Sequence, residues 1–255
     1  MQFYHDKGFI YISHEYKLIF IPIPKNGSTS IRKLEQFNFK QDSIFKYINQ
    51  IDNGKYHVFT ILRDPITRFL SGYIEANLRG YNNTHKKYVW IKNQKLRFYT
   101  FIEELENEIF VPHLFQQSYL LTDFDGNYFK INKYINFENY EDEILHYFKT
   151  LGYNIKLLRE KRYRSSSGKV TIGKILMGFK KIINSFFQGK NSPKLYDSRR
   201  LLYQYSLFLI NYLFFTRHLC KKEYIAKLMY DDCSIINRVK KLYNDDYELI
   251  KKLGL

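Results

Sequence analysis

The chain has 255 residues, 45% of them hydrophobic, 26% charged and 18% aromatic, a composition that excludes wholesale disorder and supplies one substantial core. Two cysteines, Cys220 and Cys233, cannot build a disulfide framework or a four-thiolate zinc site. The formal charge of +16 is uneven, because residues 155–200 hold 13 Lys+Arg against Glu160 and Asp197, which points to an acidic partner such as a polyanion or an anionic lipid surface.

The chain opens without a basic region followed by an apolar run, so no secretory signal is expected. Leu201 to Phe215 is the longest apolar stretch, short of the roughly 20 residues that a membrane-spanning helix needs. With two free thiols, a cytoplasmic location is the expectation, peripheral to a membrane if the basic block lies on one.

Lys17 to Ile23 (KLIFIPI) is a short, partly β-branched apolar run that reads as a buried strand entering the turn Pro24-Lys25-Asn26-Gly27. Ser28, Thr29 and Ser30 then open a helical pattern with Ile31, Leu34 and Phe37 three residues apart. His57 to Leu62 (HVFTIL) reads as a second buried strand, followed by Arg63 and by Asp64-Pro65, a helix cap with proline at the first helical position. Ile66, Phe69, Leu70, Tyr73 and Ile74 continue that helix. Thr100-Phe101-Ile102-Glu103 has the form of a capping box and predicts a helix start. Tyr134 to Phe137 reads as a third strand and Glu141 to Leu151 as an amphipathic helix.

This alternation predicts a parallel α/β sheet with helices on both faces, in which ligands bind beyond the carboxyl ends of the strands. Lys25 and Arg63 fall there. After Gly152 the character changes: Ser165 to Gly168 reads as a joint, and Val170 to Phe187 as a basic amphipathic helix punctuated by Lys174, Lys180 and Lys181. The expected organisation is a nucleotide-binding core over 1–154, a basic, mainly helical insertion over 155–221, and C-terminal helices over 222–255 packing on the core.

The chemistry concentrates in two segments. In Pro24 to Ser30, Gly27 permits a tight turn, successive amides at a helix start can cradle a phosphate, hydroxyls add donors and Lys25 adds a charge. A nucleoside-triphosphate loop would place Lys after its last Gly and directly before Ser or Thr. Here Lys25 precedes Gly27, so neither a kinase nor a GTPase site is expected, and no metal is called for. In Arg63 to Ser71, a guanidinium at a strand end and a hydroxyl two helical turns further on can converge on another phosphate. Arg68 is expected to pair with a carboxylate.

These segments resemble the sulfotransferases that use 3′-phosphoadenosine 5′-phosphosulfate, most of all the carbohydrate sulfotransferases. Ile23 to Ser30 is similar to that family's 5′-phosphosulfate loop, and Arg63-Asp64-Pro65 with Arg68 and Ser71-Gly72-Tyr73 to its 3′-phosphate segment. Pro112 to Ser118, followed by Tyr134 to Tyr140, resembles its His-containing stretch and the strand-then-Glu-Asn segment after it. The resemblance covers roughly residues 15–152, and none of 157–221 matches the family's pattern.

It implies a fold related to P-loop kinases and no metal requirement. It also implies that Lys25 contacts the phosphosulfate, that Asn26, Gly27, Ser28, Thr29 and Ser30 hold the 5′-phosphate, and that Arg63 and Ser71 hold the 3′-phosphate. Lys25 then doubles as a catalytic group by neutralising charge on the leaving phosphate oxygen. His113 is the first choice for the base that takes the acceptor's proton, with Glu75 and His85 as competitors, and Trp90 or a Tyr is a candidate to stack on adenine. The implied acceptor is a hydroxyl of a carbohydrate or glycolipid. The alternative is a membrane-associated or polyanion-binding module with a vestigial nucleotide site. Nucleic-acid binding has only charge in its favour.

Overall fold

The computed structural model describes residues 7–32, 34–78, 91, 93–107, 114–153 and 222–255. The chain divides into two compact units, one made of Met1–Gly72, Phe110–Lys161 and Ile236–Leu255, the other of Tyr73–Ile109 and Arg162–Ile235.

The first unit is built on a five-stranded sheet. Its strands are β1 (Phe9–Ser13), β2 (Leu18–Ile21), β3 (Lys40–Ser43), β4 (His57–Leu62) and β5 (Lys133–Asn136), in the spatial order β3-β1-β2-β4-β5. β2 and β4 pair in parallel, as do β4 and β5, whereas β1 is antiparallel to both β2 and β3. The sheet is therefore mixed, which corrects the expectation of a parallel one. The three strands read from the sequence are its parallel half. β3 (KQDS) has no apolar pattern and becomes a strand only through its pairing with β1 at the sheet edge.

Side chains alternate across the sheet as strand geometry requires. Leu18, Phe20, Phe59, Ile61 and Ile135 point into one core layer. There they meet Ile31 of α1 (Ser28–Arg32), Phe37 of the 3₁₀ turn Glu35–Phe37, and Ile144 and Phe148 of α6 (Tyr140–Thr150). Ile19, Ile21, Val58 and Leu62 point into the other. That layer is completed by Ile51 of α2 (Ile48–Asp52), Leu120 of α5 (Gln117–Leu120) and Leu249 of α9 (Asn244–Leu253). Apolar cover on both faces is why β2 reads as an unbroken hydrophobic run and β4 as a nearly continuous one, with the Thr60 hydroxyl donating to Ile21 O. The threefold spacing of Ile31, Leu34 and Phe37 is met by a short α-helix followed by a 3₁₀ turn, whose own period is three.

Asp64 caps α3 (Pro65–Leu78) as expected, its Oδ1 accepting from the Thr67 amide at 2.8 Å. In the second unit, α4 runs Gln94–Glu106 with Asn93 as its cap, the side chain accepting from the Leu96 amide. Thr100 lies inside this helix, so the capping-box reading there is wrong. The buried faces of Phe98, Phe101 and Ile102, with Tyr73 edge-on to both Phe rings, hold the helix together through the pattern. The C-terminal segment forms α7 (Lys222–Asp231), α8 (Cys233–Leu242) and α9. The basic helix expected over Val170–Phe187 lies outside the described residues. No described helix is long and apolar enough to cross a membrane.

Candidate functional site

Two strand-to-helix turns of the first unit leave the carboxyl ends of neighbouring parallel strands. The strand after β2 pairs beyond β1, whereas the strand after β4 pairs on β4's other side, so the connections diverge between β2 and β4. That divergence is where open α/β sheets bind ligands.

In the first turn, the Asn26 amide donates to the Ile23 carbonyl at 3.2 Å. Pro24 and Lys25 thus occupy the middle of a four-residue turn. Pro suits the second position, and the third needs a positive φ, which favours Gly. Lys25 holds that position at φ +71°, followed by Gly27 at φ +75°. A left-handed non-Gly residue costs about 1–2 kcal/mol, so a lysine is kept where the backbone alone would select glycine. α1 starts directly afterwards, with the Ser30 amide donating to Gly27 O at 2.9 Å. Helix geometry leaves the amides of its first residues without partners inside the helix. The hydroxyls of Ser28, Thr29 and Ser30 have no hydrogen-bond partner among the described residues.

Asn26 behaves differently from its neighbours. It is buried, and its Nδ2 donates to Ile61 O at 2.7 Å and to Gln117 Oε1 at 2.5 Å. Its side chain ties the turn to β4 and α5.

The second turn brings Arg63 against the first. Its Nη1 donates to Lys25 O at 3.0 Å and its Nε to Thr67 Oγ1 at 3.2 Å. The guanidinium lies 4.3 Å from the centre of the Phe137 ring, a cation–π contact. The same ring closes over Gly27, where a Cβ would stand 3.4 Å from Phe137 Cε2. Among the described residues no carboxylate is within ion-pairing distance of Arg63. Burial pulls its pKa down, with Glu138 and Asp64 pushing it back up, and it stays charged at neutral pH. Ser71 lies one helical turn beyond Thr67 on α3, hence on the same face. Its hydroxyl also has no hydrogen-bond partner among the described residues.

Arg68 is fully buried and donates through Nε to Pro24 O at 3.1 Å. Burial lowers its pKa, opposed by the nearby Tyr243 and Asp246. It braces the first turn from below, within the field of a buried acid. Thr67, Gln117 and Phe137 complete the site, and the sequence did not single them out. Gln117 stands in the His-containing stretch and Phe137 at the end of the third strand, so position after a strand was the available signal. Glu75 is half-buried in the part of α3 that belongs to the second unit. His113, His85 and Trp90 lie outside the described residues. Among those residues, no group of three or more His, Cys, Asp or Glu could hold a metal ion.

Compared with known families, residues 9–251 match the sulfotransferase family. The chain belongs to that family, a class of transferases that move a sulfuryl group. The match runs through residues 157–221, where the motifs gave no counterpart. No curated protein and no solved structure matches the chain.

Proposed function

We propose that this chain transfers a sulfuryl group from 3′-phosphoadenosine 5′-phosphosulfate to a hydroxyl of a carbohydrate or glycolipid-type acceptor. The observation that carries the reading is the contact of the two turns: a strained, left-handed Lys25 whose carbonyl receives the Arg63 guanidinium at 3.0 Å. Strain of this kind persists where the surrounding structure over-determines it, and it clusters at functional sites. A doubly phosphorylated carrier needs two cationic stations side by side, and the turns supply a lysine, a run of helix-start amides and a guanidinium without a carboxylate partner among the described residues.

In this reading Lys25 and the amides and hydroxyls of Gly27 to Ser30 meet the 5′-phosphosulfate, while Arg63 and Ser71 meet the 3′-phosphate. Asn26 contributes by holding the turn. The acceptor oxygen attacks sulfur in line, the bond from sulfur to the bridging phosphate oxygen breaks, and the charge left on that phosphate is met by Lys25 and the start of α1. The acceptor's proton passes to a base, for which His113 is the first choice and Glu75 and His85 the alternatives.

Incubation with a labelled phosphosulfate donor and a panel of glycans and lipid-linked sugars tests the reading, with label transfer to one acceptor class expected. The product, adenosine 3′,5′-bisphosphate, is expected to raise the melting temperature. A folded chain that shows neither result overturns it. The net charge of the 155–200 block favours a second role beside this one, docking on an anionic bilayer through 170–187. Flotation with anionic vesicles that fails to depend on that segment removes it.

A further inference from the structure

Gln117 takes no part in the chemistry described above, yet it is fully buried and touches both turns. Its Oε1 accepts from Asn26 Nδ2 at 2.5 Å and from the Arg63 backbone amide at 3.1 Å. Its Nε2 donates to Arg63 O at 2.8 Å. One planar amide thus meets the Nδ2 of the first turn's buried anchor and both main-chain groups of the residue that opens the second.

The side chain is itself held from behind. α5 is a single turn, and its second residue, Ser118, gives both its amide and its hydroxyl to Asp246 Oδ1, each at 2.8 Å. Asp246, on α9, is fully buried. Gln116 Nε2 donates to Leu242 O at 2.7 Å and the Tyr243 hydroxyl to Leu114 O at 2.8 Å, so the residues on either side of Gln117 are tied to the C-terminal helices. All these groups belong to the first unit.

We infer that Gln117 is a positioning residue of the donor site: it holds the Lys25–Gly27 turn and Arg63 at a fixed separation, and Asp246 holds Gln117 through Ser118. The inference rests on the donor reading above, because a carrier with two anionic groups engages both stations only when their spacing is set beforehand. The residue type follows from the pattern of partners. Two N–H donors and one carbonyl must be met at once, which needs an acceptor and a donor on one rigid plane. Glutamate, when ionised, lacks the donor, and asparagine is one methylene shorter.

The test compares wild type, Gln117→Ala and Gln117→Glu in the full chain. In the nucleotide-free proteins, hydrogen exchange at residues 25–30 and 63 is expected to be faster in Gln117→Ala. Its affinity for adenosine 3′,5′-bisphosphate is expected to fall about tenfold, the effect of losing a buried hydrogen-bonded group. Protonation gives Gln117→Glu an acceptor and a donor again, so its nucleotide affinity is expected to recover as pH is lowered, a step that wild type and Gln117→Ala lack. A role in stability alone would not produce that recovery. Should Gln117→Ala fail to fold, Gln117→Glu carries the same comparison.

Exchange at the two turns unchanged in a folded variant overturns the inference, as does nucleotide affinity within twofold of wild type. A wild-type chain that binds no nucleotide overturns the donor reading instead. Faster exchange in the variants would still assign Gln117 to the two turns, and unchanged exchange would remove that assignment too.

Discussion

The two strand-to-helix turns of the site do similar work by different means. The first, after β2, is shaped by backbone: two positive φ angles at Lys25 and Gly27, a reversal closed by Asn26, and a helix of five residues. The second, after β4, is shaped by side chains: Asp64 caps a helix of fourteen residues that starts at Pro65, and Arg63 reaches back across the gap. A turn defined by amides offers many weak donors and tolerates little change in dihedral angle. A turn defined by a guanidinium offers a directed fork and depends on what packs against its face. Phe137 packs beside both, next to Gly27 and against Arg63, so one ring couples the two designs.

Substitutions can separate them. The largest effect is expected from Lys25→Gly, which keeps the positive φ and removes the charge. Sulfuryl transfer should fall about 10²–10³-fold, while stability stays level or rises by up to about 1 kcal/mol because glycine accepts the left-handed conformation. Single-turnover kinetics beside urea denaturation check it, and parallel losses in both would show that the lysine is there for folding. Next comes Arg63→Lys, which keeps the charge and loses the fork and the stacking on Phe137. Affinity for adenosine 3′,5′-bisphosphate should weaken about tenfold by calorimetry, whereas unchanged affinity would mean that Arg63 serves only the Lys25 carbonyl.

Smaller again, Asp64→Ala removes the cap of α3 and should cost about 1 kcal/mol of stability with nucleotide affinity nearly unaltered. A large loss of affinity at unchanged stability would place Asp64 in the site itself.

A control away from both turns is Asp42 on the edge strand β3. Its Oδ1 accepts from Lys46 Nζ at 2.6 Å and its Oδ2 from the Tyr47 hydroxyl at 2.7 Å. Led by the Lys46 hydrogen bond, these contacts hold its pKa down to about 2 from the ordinary 3.8. A depressed carboxyl stabilises the fold above its unfolded-state pKa, and that contribution is lost as pH falls from 3.8 towards 2. Asp42→Asn should therefore cost about 1 kcal/mol near neutral pH, because Lys46 is mostly solvated, and flatten the acid limb of the stability curve without touching transfer. An acid limb identical to wild type would show that the pair contributes nothing.

Much of the site was legible because its signals are local. Pro-Lys-Asn-Gly after an apolar run marks a turn, and Asp-Pro after another marks a capped helix; both depend on dihedral preferences of the residues themselves. The wiring was not legible. Asn26 and Gln117 are separated by 91 positions, and nothing in either neighbourhood announces the other. Asn26 was accordingly grouped with the residues beside it, and the two bonds of its Nδ2 inside the protein left no trace in the sequence. Thr100 shows the opposite failure, a good local cap pattern overridden because burial of Phe98, Phe101 and Ile102 carries the helix through it. Arg68, expected beside a carboxylate, lies in the field of Asp246, and its bond to Pro24 O shows that a buried guanidinium can brace a turn as well.

What the sequence determined by itself was the parallel centre of the sheet, the two turns at its carboxyl ends and the cations they carry. Hydrophobic runs, capping residues and proline act on their nearest neighbours. What only the tertiary structure decided was the antiparallel flank, where the polar segment Lys40–Ser43 is a strand because β1 offers it an edge, and the buried amide network that sets the distance between the turns. Those depend on partners brought together by chain closure, and a hydrogen bond across that distance leaves no periodicity for the sequence to display.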